Sequence, residues 1–378
     1  MMPIYCSINY SKIIIREIIF MITIDGSHGE GGGQILRTAL SLSCLFRKPF
    51  RIFNIRKGRK KPGLMPQHLT AVMAAQLLSN AEVKGNNKSS TELIFSPKEV
   101  KGGNFFFDIG TAGSTSLVLQ TLIPSLVFSK ELLKEGKGGL LKEKSTITLK
   151  GGTHVPFSPS FHYLSEVFTP FLKVIGIDIR LTIYSYGFYP KGGGKVKADV
   201  FPVEEIKPLK IKERGNLLAL NGYSCVGNLP LSIAERQKKA LLEKIYSAEG
   251  GLRGVLPVDI ELLNVPTPGQ GTFVFIKSEF EHSIAGFSSL GERGKKAAAV
   301  GEEAAIEFLH YFSTGSSLDP HIADQIVLYL SLCKEQSVFT TSCITPHLMT
   351  NLWATGLFHE YSYSVKGDIG NSGTVTIN

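Results

Sequence analysis

Asp25–Leu42 reads DGSHGEGGGQILRTALSL, and the fold is read outward from it. Ile22 and Ile24 before it alternate as in a short strand. A turn follows with Gly26, Gly29 and the run Gly31-Gly32-Gly33. Ile35, Leu36, Ala39, Leu40 and Leu42 then recur at helical spacing. Glycines let backbone N–H groups approach an anion, and a helix N-terminus adds its positive end. Two charges stand in this small-residue setting. Arg37 can fork onto a phosphate, and Glu30 can hold a divalent cation. No Gly-Lys-Ser/Thr follows, so this is not a Walker loop. Gln34 stands where the dinucleotide fingerprint needs its last glycine.

Outward from that stretch, Phe50–Ile55 reads as a strand and leads into Arg56-Lys57-Gly58-Arg59-Lys60-Lys61, five cations in six residues. The run is bounded by Gly and Pro and returns toward the glycine turn, which puts phosphate contact at least level with a merely solvated turn. A helix is expected from Pro66, with Gln67 and His68 in its first turn. The order recurs. Strand Phe105–Ile109, a Gly110–Thr115 loop and a helix carrying Gln120 precede a loop with Pro156 and Pro159, then a helix over Phe161–Ile175. It recurs again from Asp319, where Pro320-His321-Ile322-Ala323-Asp324-Gln325 opens a helix and Pro346-His347 opens the next. Pro66, Pro159 and Pro346 each stand at or just before a helix start, where a missing N–H costs nothing.

The class predicted is α+β, with three βαβαββ-like units and one inserted small α/β domain. The units span 21–210 and 316–378, and the insert spans 211–315, with strands Val258–Asn264 and Thr272–Lys277 and a long helix Gly294–Phe312. Residues 1–20 hold no motif, and their apolar run is broken by Lys12, Arg16 and Glu17; they read as a dispensable extension. The net charge of +9 favours a polyanionic partner without identifying it. Five cysteines without a C-x-x-C fit reduced thiols in a cytoplasmic protein, and no stretch reads as a membrane span.

Among the nine histidines, His347 stands out because a helix N-terminus disfavours imidazolium. A neutral imidazole can attack phosphorus. Asp324, opening the preceding helix, can hold its tautomer or accept a ribose hydroxyl.

Together DGSHGEGGGQILRTALSLS, RKGRKKPGLMPQHLTA, IGTAGSTSLVLQT, GFYPKGGG, HIADQ and PHLMTN, in this order from Met21 to the C-terminus, resemble the RNA 3′-terminal phosphate cyclases. The resemblance implies three repeats of the kind in the C-terminal domain of translation initiation factor three, plus the insert. It also implies chemistry with ATP, a divalent cation (Mg or Mn) and an RNA bearing a 3′-terminal phosphate. A histidine takes AMP from ATP and passes it to the RNA phosphate, and the 2′-hydroxyl then closes a 2′,3′-cyclic phosphate. His347 matches the nucleophile. His321, Ile322, Ala323, Asp324, Gln325, Gln120, Pro159 and Glu30 match nucleotide-binding positions, with Glu30 also on the metal. Arg37, Arg56, Arg59 and Gln67 match positions for phosphates and the RNA end. Ser342-Cys343 lies further ahead of His347 than the Ser-Cys pair usual in the family. A homodimer is one assembly compatible with the sequence.

Three other readings compete with this one. A non-catalytic cyclase-like protein of ribosomal RNA processing would lack the histidine. An enolpyruvyl transferase would have no insert of this kind. A lysine-adenylating ligase needs K-x-D-G, and Lys366-Gly367-Asp368-Ile369 has the wrong order.

Overall fold

The computed structural model describes residues 21–129, 133–136, 139–247 and 257–378, so the expectation for residues 1–20 lies outside the described residues. Strand β1 (Ile22–Asp25) leads through the glycine turn to helix α1 (Gln34–Phe46), then β2 (Phe50–Phe53), α2 (Pro66–Ser79), β3 (Glu82–Lys84) and β4 (Leu93–Ser96). Next come β5 (Asn104–Asp108), α3 (Thr115–Val127), a hairpin of β6 (Leu133–Gly136) and β7 (Gly139–Lys142), and β8 (Ser145–Gly151). The helix expected over 161–175 is divided. It runs as α4 (Phe161–Tyr163), a π turn (Leu164–Phe168) and α5 (Thr169–Val174), followed by β9 (Ile179–Ser185) and β10 (Gly194–Val200).

A two-residue strand, β11 (Lys210–Ile211), precedes β12 (Leu217–Gly227), α6 (Ser232–Ser247), β13 (Val258–Asn264), β14 (Gly271–Phe280), β15 (Ile284–Leu290) and α7 (Ala297–Thr314). The chain closes with α8 (Pro320–Leu330), β16 (Ser337–Thr341), α9 (Pro346–Gly356), β17 (Tyr363–Lys366) and β18 (Gly373–Ile377).

The architecture is mixed α and β, built on several small mixed sheets. Three four-stranded sheets have the orders β1-β2-β4-β3, β5-β8-β10-β9 and β11-β16-β18-β17. In each, the first pairing is parallel and the other two are antiparallel. The third sheet takes its first strand from residues 210–211, so residues 212–315 enter the chain after that strand and before α8. The fourth sheet, β13-β12-β14-β15, carries α6 and α7 and has its own apolar cluster, including Leu241, Ile276, Phe287 and Phe308. The larger cluster joins the other three sheets through α1, α2, α3, α8 and α9. Among the described residues no helix is long and apolar enough to cross a membrane.

Helix α1 is the centre of the larger body and packs on α2, α3 and α9. Its residues Ile35, Leu36, Ala39, Leu40 and Leu42 are all buried, as their spacing predicts. The N-caps follow ordinary chemistry. Ser114 accepts from Leu117 N, Asp319 from His321 N and Ile322 N, and Thr345 from Leu348 N. Pro66, Pro320 and Pro346 each occupy the first turn behind a cap residue. Pro159 differs: it stands one residue ahead of the cap Ser160.

Candidate active site

The glycine turn is fixed at its root. Asp25 accepts from Ser27 N at 2.9 Å, Ser27 Oγ at 2.7 Å and Asn54 Nδ2 at 3.1 Å. From there the turn lies against α9 on one side and under a group of cations on the other. Gly29 has φ +56°, and a Cβ there would sit 2.5 Å from Thr350 Oγ1. A Cβ on Gly33 would overlap His68 Nε2 and stand 3.0 Å from an Arg37 nitrogen. Side chains at these two positions would push the turn off both walls.

His347 is the second residue of α9, half-buried, with its Nδ1 3.0 Å from Glu30 Oε2. The approach is off the line of a hydrogen bond, which leaves the buried Nδ1 without a partner. Glu30 Oε1 pairs with Arg59. Burial holds His347 below the ordinary imidazole value; Arg37 and Arg59 add to this, and Asp324 opposes it. His347 is therefore neutral at pH 7, as its helix-start position leads one to expect.

Behind His347, Asp324 is 7% exposed and accepts from Thr345 Oγ1 at 2.5 Å. Burial raises its carboxyl to about 7, against the opposing pull of Thr345 and His347. Asn351 Nδ2 donates to the Asp324 carbonyl at 2.7 Å, and Asn351 Oδ1 accepts from Gln34 Nε2 and Thr38 Oγ1, both at 2.8 Å. Gln34 Oε1 in turn accepts from Arg37 Nη2 at 2.9 Å. This chain ties α1, α8 and α9 together at the site. Arg37 is packed deeply enough that burial lowers its guanidinium to about 10, and among the described residues no carboxylate pairs with it. A cation held so, beside a neutral imidazole, is ready for an anionic ligand.

The other expected residues are placed as follows. Gln120 Nε2 donates to Gln325 Oε1 at 2.6 Å, joining α3 to α8. Gln67 Oε1 accepts from Ser114 N at 3.0 Å and so holds the start of α3. Arg56 has φ +55° and donates through Nη1 to the carbonyls of Lys61 and Gly63, bracing the basic loop. Ile322 and Ala323 are fully buried, so their side chains face the core. His321 is exposed and meets the Tyr163 ring edge-on at 5.8 Å. Pro159 stands in the loop before α4.

His68 belongs to the site, although the sequence reads only as a helix residue there. Its Nδ1 accepts from Met65 N at 3.2 Å, and its Nε2 faces Gly33 beside Arg37. Burial, with Arg37 and Arg56 nearby, lowers it to about 3, so it remains a neutral donor or acceptor. Thr345, Thr38 and Gln34 were missed too. Their roles rest on contacts more than twenty residues apart in sequence, apart from the cap at Thr345, which a Thr-Pro pair before a helix signals.

The chain is similar to known proteins over most of its length. A family profile described as RNA 3′-terminal phosphate cyclase matches residues 28–365. A protein of that name from Pyrobaculum aerophilum is 42% identical over 349 residues, covering 92% of this chain and 96% of the relative. One from Sulfolobus acidocaldarius is 44% identical over 350 residues, covering 92% and 97%. One from Pyrococcus furiosus is 40% identical over 357 residues, covering 94% and 98%.

Proposed function

This chain belongs to the RNA 3′-terminal phosphate cyclase family and is an enzyme of the ligase type; from that premise we propose that it converts an RNA 3′-terminal phosphate to a 2′,3′-cyclic phosphate at the expense of ATP, through an AMP-histidine intermediate on His347. The observation that carries the reading is a neutral His347 at a helix start, with Nδ1 turned to Glu30 and with Arg59 and Arg37 beside it.

With Nδ1 buried against Glu30, Nε2 is the nitrogen left to react. In the first step Nε2 attacks the α-phosphorus of ATP, the bond to the β-phosphate oxygen breaks, and pyrophosphate leaves. Arg59 and Arg37 balance the charge gathering on that leaving group. In the second step an oxygen of the RNA 3′-phosphate displaces His347 and takes the AMP. In the third, the 2′-hydroxyl attacks the terminal phosphorus, loses its proton, and expels AMP. Only RNA carries that hydroxyl, so the last step separates RNA ends from DNA ends.

Gln120 and Gln325 form one wall of the nucleotide site, with His321, Pro159 and the α8 backbone at Ile322 and Ala323 as its further contacts. Asp324 sets the basicity of His347 and, through Thr345, the start of α9. Arg56 shapes the loop that carries Arg59, and Gln67 positions the loop before α3. Among the described residues no three His, Cys, Asp or Glu side chains converge as a cation cage. Glu30, the carboxylate of the turn, would be the protein residue to hold a Mg or Mn ion alongside the ATP phosphates. When bound, such an ion would withdraw charge from the phosphates.

The three sheets of like order support a reading as three βαβαββ units of the initiation-factor-three C-terminal type, spanning 21–210 and 316–378, with the insert expected at 211–315 beginning one residue later because Ile211 belongs to β11. The reading is tested with RNA ending in a labelled 3′-phosphate. ATP and the protein should make the label resistant to phosphatase. His347→Ala should abolish this from ATP yet keep much of the closure of a pre-adenylated RNA end, because the third step needs no protein nucleophile. Full activity of His347→Ala from ATP would overturn it.

A further inference from the structure

The glycine turn and α9 run side by side in step. Glu30 meets His347, Gly29 abuts Thr350, and His28 lies flat on Trp353 with centroids 3.8 Å apart and planes 17° apart. Three consecutive turn residues thus meet three helix positions spaced by three. At the helical rise, Trp353 lies about 9 Å along the axis from His347.

His28 is exposed and Trp353 is half-buried, so the indole backs the imidazole and one imidazole face looks into solvent. The chemistry assigned above uses neither ring. Burial of an apolar core does not require an exposed histidine stacked on the chain's single tryptophan. The surroundings are cationic. Lys57 is near enough to Asp25, at the root of the turn, to help hold its carboxyl down. Lys57, Lys60 and Lys61 are all exposed, and their loop is tied to the reaction centre by the Arg59–Glu30 pair. A flat aromatic face beside a row of cations is how single-stranded nucleic acid is held without reading its sequence.

We propose that His28, backed by Trp353, is the stacking platform for the base of the RNA's 3′-terminal nucleotide, while Lys57, Lys60 and Lys61 take the phosphates on its 5′ side. The proposal rests on the function read above and adds how the RNA end is gripped. Such a platform would accept any terminal base, because every base offers a π-face. His28 and the lysines position the substrate and take no part in bond making.

The test uses the full chain and two short single-stranded RNAs ending in a 3′-phosphate, one intact and one abasic at its last nucleotide. Trp353 is the sole tryptophan, so its fluorescence reports the platform directly. The intact RNA should change that fluorescence on binding. The abasic RNA should bind roughly five- to a hundred-and-fifty-fold more weakly, the range expected for one base–aromatic stack. His28→Ala should raise the KM for RNA by a comparable factor with a much smaller change in kcat, and His28→Phe should restore it. Melting curves and labelling by ATP check that the variants are folded.

Equal binding of intact and abasic RNA, or an unchanged KM in His28→Ala, overturns the proposal. So does a fluorescence change produced by ATP alone, which would assign the platform to the adenine. Failure of the function reading is separate: the wild-type protein would then bind intact RNA with the fluorescence change but leave its end uncyclised.

Discussion

Replacing Asp324 by Asn keeps the shape of the side chain and an oxygen for Thr345, but removes a carboxyl that burial raises from 3.8 to about 7. A carboxyl with a raised folded-state pKa contributes stability that is complete below pH 3.8 and is lost as pH rises through about 7. The span is about three pH units, at about 1.4 kcal/mol each, or about 4 kcal/mol in all. About two of those units fall between pH 5 and pH 7, so Asp324→Asn should gain about 2–3 kcal/mol more over wild type at pH 8 than at pH 5. Denaturant unfolding of both proteins at the two pH values measures this directly. A second readout separates the charge from the fold. Asp324 supports the basicity of His347 only where it is ionised, toward pH 7 and above, so the acid limb of labelling by ATP should move only slightly, to lower pH, in Asp324→Asn. A stability difference that does not vary with pH, or an acid limb that moves upward, refutes the reasoning.

Arg59→Ala removes the partner of Glu30 and one phosphate contact, so RNA-end binding should weaken and its salt dependence should flatten by about one unit of slope. Unchanged affinity and slope would return the basic run to a solvated loop. Arg56→Ala loses the bonds to the Lys61 and Gly63 carbonyls, so its loss of binding should come with faster proteolysis of the 56–63 loop. Gly33→Ala places a Cβ on His68 Nε2 and against Arg37; it should cut ATP labelling at least tenfold while the melting temperature changes little. Normal labelling would mean the turn can move away from both side chains.

Much of this was legible in the sequence wherever the signal was local. The starts of α2, α8 and α9 follow from prolines behind cap residues, and α1 follows from its apolar period. Elements that depend on distant partners were not legible. Strand β15, IAGFSSL, has small residues with little strand preference and forms because β14 offers it an edge from Phe273 to Glu279. Strand β11 is two residues long and exists through its ladder with Val338 and Phe339. Within the site, the motif matches named Glu30, His347, Asp324 and Arg59, which the fold brings together from four separate stretches. Motifs could not tell that Ile322 and Ala323 point into the core, since a loop-like match says nothing of side-chain direction. Nor could they find His68 or the His28–Trp353 stack, whose partners are 35 or more residues away in sequence.

The central claim is that His347 carries AMP. Incubating the protein with ATP labelled at the α-phosphate, without RNA, tests it in one step. A phosphoramidate predicts label on the wild-type protein that acid removes and alkali leaves in place, at the peptide holding His347, and none on His347→Ala. Label on His347→Ala, or an acid-stable linkage on the wild type, would contradict it.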